Sequence, residues 1–190
     1  MKLKLLFTFL ILFFTRSLFA DDFLSFKQAL KKYHRHGEAF SFETFHDNLA
    51  WDVVYRSLEF REAVSRKYAK DYRLSEEDLK SKLWEDGQEA AKGPEFIVVF
   101  YAYNKKWNDL EEKDSIWKMR LAGDGRSFDP VNIVKMKPTP LDQSFYPFMA
   151  PWTKTYSVLF PKEAYLALEG DFSLSLFGVK GKDTLRWKQK

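Results

Sequence analysis

The sequence predicts an α+β protein: about three helices over residues 21–93, then an immunoglobulin-like antiparallel β-sandwich of about seven strands over residues 94–190. Three observations carry this expectation. Apolar residues recur at helical spacing before Gly93-Pro94. After it they gather into short runs of β-branched and aromatic residues. Between the two, Gly93-Pro94 is a helix stop, glycine serving the C-cap and proline unable to continue the helix.

Residues 1–20 have the pattern of an export signal. Met1-Lys2-Leu3-Lys4 is a basic start, Leu5 to Phe14 an apolar stretch, and Ser17 to Ala20 ends in a small residue. Cleavage is expected after Ala20, with an uncleaved anchor as the alternative. An apolar run this short falls below the ~20 residues a bilayer-spanning helix needs.

Asp22 is the expected cap of a first helix, in which Phe23, Phe26, Leu30 and Tyr33 share a face and Gly37 marks the end. His34 to Glu38 is expected to form a polar joint. A second helix is predicted over about 43–72, because Trp51, Val54, Tyr55 and Leu58 repeat at three and four residues. Ser75, followed by Glu76-Glu77-Asp78, is the start of a third, with Leu79 and Leu83 on its apolar side.

Phe96 to Tyr101 reads as a half-buried strand and Asn104 to Asp114 as a polar turn. In the next strand Ile116, Lys118 and Arg120 alternate with Trp117, Met119 and Leu121. Gly123-Asp124-Gly125 is a tight turn. Further strands are expected at 131–136, 155–160, 164–168, 172–177 and 184–187. A hairpin at Gly178 to Gly181 joins the last two. Pro138, Pro140, Pro147 and Pro151 mark a long irregular connection rich in rings.

Composition removes several chemistries. Hydrophobic residues make up 45% of the 190, enough for a packed core. No cysteine is present, which excludes disulfides, thiolate metal sites and cysteine nucleophiles. Loss of Lys2, Lys4 and Arg16 with the signal leaves 28 basic residues against 27 acidic. The basic pI therefore belongs in part to the signal, and nucleic acid is not an expected partner. No long apolar run survives cleavage, so the mature chain is not expected to span a membrane.

No motif for a nucleophile, a zinc protease or a phosphate loop is present, and no catalytic residue, cofactor or metal is expected. His34, His36 and His46 are the only histidines. On a helix, residues two apart point about 200° away from one another, so His34 and His36 could share a metal only if the helix has already ended. Asp124 and Asp129 are assigned to turn chemistry.

The rings are the most suggestive feature. Trp107 sits in a polar turn, Tyr146 and Phe148 bracket Pro147, and Trp152 follows Pro151. Aromatic side chains on loops can stack on a sugar or fill a partner's pocket. The expected function is an exported, periplasmic or secreted, non-enzymatic binding or assembly module, contacting another envelope protein. The alternative is a carbohydrate-binding or carbohydrate-processing protein that uses Trp107, Tyr146, Phe148 and Trp152.

Overall fold

The computed structural model describes residues 23–41 and 46–188. The expected signal, residues 1–20, lies outside them. The first part of the chain runs α1 (Phe26–Tyr33), β1 (His34–Ser41), β2 (His46–Tyr55), α2 (Leu58–Tyr72) and α3 (Glu76–Ala90). It continues through β3 (Glu95–Ala102), β4 (Trp117–Gly123), β5 (Arg126–Phe128) and β6 (Asn132–Met136). Then come α4 (Pro140–Phe145), β7 (Lys154–Leu159), β8 (Phe172–Gly178) and β9 (Gly181–Trp187). Short 3-10 helices lie at Lys105–Trp107 and Lys162–Leu168.

This corrects the expected order of three N-terminal helices followed by an immunoglobulin-like sandwich. Two strands come before Gly93, and the helices are interspersed among strands. The sheets are antiparallel, one of five strands in the order β1-β2-β3-β7-β6 and one of four in the order β5-β4-β8-β9. The fold is α+β and sandwich-like, but nothing in it is specific to the immunoglobulin arrangement.

The layers explain why β2 has a helical spacing. Leu49, Trp51, Val53 and Tyr55 face the four-stranded sheet, while Val54 faces the helices. The alternation of Leu49, Trp51, Val53 and Tyr55 is present, but Val54 on the opposite face is also apolar, so Trp51, Val54, Tyr55 and Leu58 fall by chance on a helical stripe. The predicted helix over 43–72 exists only as α2, which starts after its cap Ser57. β1 is the edge strand beside β2, and an edge strand needs no apolar alternation. The first helix is capped by Ser25, not Asp22, in a reciprocal box with Gln28, and it ends at Tyr33.

β3 is the centre. Phe96, Val98, Phe100 and Ala102 enter the core between the sheets, and Ile97 and Val99 enter a second core beneath the helices. Trp117, Met119 and Leu121 of β4 and Leu174 and Leu176 of β8 close the first core from the other side. Phe60, Ala63, Phe145 and Tyr146 close the second. The expected strand at 164–168 is a 3-10 helix instead. Ala164, Ala167 and Leu168 are its buried residues, a helical rather than an alternating spacing, and Ala164 N donates to Pro161 O at 2.9 Å. The predicted tight turn is present, with Asp124 at φ 49° and Gly125 at φ 68° joining β4 to β5.

A buried ionic cluster fixes α2 on the sheet. Arg61, its side chain only 2% exposed, pairs with Glu95 at the start of β3 and donates through Nε to Arg56 O at 3.1 Å. Arg56 Nη1 lies 3.2 and 3.1 Å from the two Glu95 oxygens, and Ser157 Oγ donates to Glu95 at 2.5 Å. Burial pushes the Glu95 carboxyl up, but Arg56, Ser157 and Arg61 outweigh it and hold it below the usual carboxylate range.

Candidate functional site

The α2–α3 hairpin presents the most exposed aromatic surface of the helical layer. Ser75 starts α3 by accepting from Asp78 N at 3.1 Å, and Glu76, Glu77 and Asp78 occupy the first turn, where the helix dipole favours acids. The helix is fastened to α2 by Ser65 Oγ donating to Asp86 Oδ2 at 2.5 Å. Lys82 lies 4.9 Å from the Tyr68 ring centroid, and Tyr68 in turn stacks on Tyr72 at 4.5 Å. At its far end Tyr165 OH donates to Ala90 O.

Beyond these fastenings α3 is open. Ala90 is the one buried residue of the helix, and Trp84 is 68% exposed. Six acids (Glu76, Glu77, Asp78, Glu85, Asp86, Glu89) stand against Lys80 and Lys82. Tyr72, at the end of α2, is 57% exposed. The outer side of α3 thus carries Trp84 and exposed acids, and a large ring is the residue type that dominates binding hot spots. Trp84 has a sequence signal: it falls beside Leu83, off the Leu79–Leu83 stripe, and is followed by Glu85-Asp86.

The four loop rings are placed differently from one another. Tyr146 is 8% exposed and packs into the helix-side core. Phe148 is half-buried, sits edge-on to Tyr146 at 6.1 Å, and stacks on His34 at 4.5 Å and 13°. Trp107 is half-buried against the inter-sheet core, with Lys180 5.5 Å from its ring and its carbonyl accepting from Trp117 Nε1 at 2.9 Å. Trp152 is exposed. The structure brings Tyr146 and Phe148 together; among the described residues no ring pair joins them to Trp107 or Trp152.

His34 and His36 lie on β1, not on a helix, and residues two apart on a strand share a face; His46 starts β2. His34 Nε2 is 2.7 Å from Asp52 Oδ1, His36 Nδ1 is 3.1 Å from the same oxygen, and His36 Nε2 is 2.9 Å from Glu38 Oε1. The Glu38 hydrogen bond raises the His36 pKa, burial opposes it, and Asp52 adds to the rise. The side chain of His46 lies outside the described residues. Among the described residues no group of three or more His, Cys, Asp or Glu is arranged to hold a metal ion. No described helix is long and apolar enough to cross a membrane.

No family model matches the chain, and no curated protein matches it. A solved structure of a novel protein of unknown function from Burkholderia pseudomallei K96243 is similar over 90% of this chain and 92% of its own. Its identity is 8% and its TM-score 0.40, a likeness that carries no argument.

Proposed function

We propose that the protein is a non-enzymatic binding or assembly module of the cell envelope, exported through residues 1–20 and acting through contact with another envelope protein. The observation that supports this reading is α3, a 15-residue helix with a single buried residue, an exposed Trp84 and six acids along its length, of which Asp86 alone is fastened to α2. A helix so placed adds little to the core, and its outer surface suits a partner with a basic patch around an apolar pocket. The hairpin is held firmly from below by Arg61 and Glu95, so the surface is pre-organised.

In-vivo crosslinking of the tagged chain in the envelope, followed by mass spectrometry, tests this. The expected result is one reproducible, stoichiometric protein partner. A protein that is abundant in the envelope and recovered alone would overturn the reading.

A further inference from the structure

A second site lies at the other side of α1, where the helix meets the open end of the two sheets. A cleft of about 680 Å³ opens there, within the range of pockets that hold small ligands. Its floor is aromatic: Phe172 and Trp187 stack at 5.0 Å and 7°, and Tyr33 and Tyr55 meet edge to face at 5.7 Å. The floor is fixed, since Trp187 Nε1 donates to Tyr33 O at 2.9 Å.

The rim is cationic. Lys31, Lys32, Arg35 and Lys188 line it, and no acid is among its described lining residues. Lys32 is neutralised by Glu59 at 2.6 Å, and Glu59 also accepts from Tyr33 OH. No carboxylate pairs with Lys31, Arg35 or Lys188 among the described residues. Arg35 is locked in place by donating to Arg186 O at 2.8 Å and His34 O at 2.6 Å, and its guanidinium stands 5.5 Å from the Trp187 ring. Three cations without a carboxylate partner among the described residues, set around stacked rings, attract a negative charge attached to an apolar body.

We propose that this cleft binds a small organic anion: a carboxylate, sulfonate or phosphate carried on a ring-sized apolar group. The rings take the apolar body, and Lys31, Arg35 and Lys188 take the charge. The site is separate from the α3 surface and does not depend on it.

The test uses the full folded chain with an anilinonaphthalene sulfonate as probe and the uncharged phenylnaphthylamine as its control. The expected result is one probe per chain, bound at least tenfold more tightly than the control. The double variant Lys31→Glu/Lys188→Glu is expected to weaken the sulfonate at least tenfold with an unchanged melting temperature and circular dichroism. Trp187→Phe keeps a ring on the floor and is expected to retain binding. Equal affinity for the uncharged control, or full sulfonate binding by the double variant, would overturn the proposal. Binding of an acidic peptide without binding of the sulfonate would overturn it as well.

Discussion

At Glu95 two guanidinium groups converge on one carboxylate beneath the helical layer. Removing that carboxylate strands Arg61, whose side chain is almost wholly buried, so Glu95→Ala is expected to lower stability by about 3–5 kcal/mol in urea unfolding. The folded pKa of Glu95 is depressed. Its contribution is therefore present above the unfolded carboxylate range and is lost as pH falls through the lower folded value. His36 behaves in the opposite sense. Its folded pKa is raised, so its contribution is present below the unfolded histidine value and fades as pH rises through the folded one. Asp52→Asn is expected to lower the His36 pKa in an NMR titration; an unchanged titration would contradict the array.

Gly37 is a further residue that packing dictates. A Cβ there would collide with Asp183 and lie 2.5 Å from Trp51 Nε1, the two groups that share a 2.8 Å hydrogen bond between the sheets. Gly37→Ala is expected to cost about 1–3 kcal/mol in thermal or urea unfolding. A neutral result would show that β1 can shift away from β9. In the sequence this glycine has the pattern of a helix end, because a lone Gly in a polar stretch carries no mark of what lies across from it.

Among the elements, those with a period of their own were legible. α3 announces itself through Ser75 and its acids, and β8 through the strict alternation of Phe172, Leu174 and Leu176. β1 and β2 were not. β1 is a polar edge without apolar alternation, and in β2 the alternation of Leu49, Trp51, Val53 and Tyr55 is overlaid by Val54, which completes a helical stripe with Trp51, Tyr55 and Leu58. The surface on α3 was half legible: the helix is predicted, but Trp84 is visible only as a large ring off the apolar stripe. The two helices make contrasting predictions. Phe60→Ala on α2 is expected to lose about 3–5 kcal/mol, since Phe60 is 1% exposed in the helix-side core. Trp84→Ala on α3 is expected to change stability by no more than about 0.5 kcal/mol. Chemical unfolding of both variants checks the pair, and a large loss at Trp84 would make it a packing residue and not a contact residue.

In the whole molecule three layers share one central sheet, helices on one face and the four-stranded sheet on the other. The layering follows from β3, whose unbroken run Phe96 to Phe100 can be satisfied only by cover on both faces. The second cover comes from α1, α2 and α4, which are far apart in sequence, and such long-range pairing leaves no local trace. The same architecture leaves α3 at the outer side of the helices, fastened to α2 through Asp86, with Trp84 and its other acids turned to solvent.

The claim that α3 is the partner surface is tested most directly by placing a photocrosslinking amino acid at position 84 in cells, with position 179 as control. Val179 lies on the β8–β9 hairpin and is 83% exposed, more than Trp84, so exposure alone would favour the control. The account predicts a discrete protein adduct from position 84 and none from position 179. Adducts from position 179 alone, or none from position 84, would contradict it.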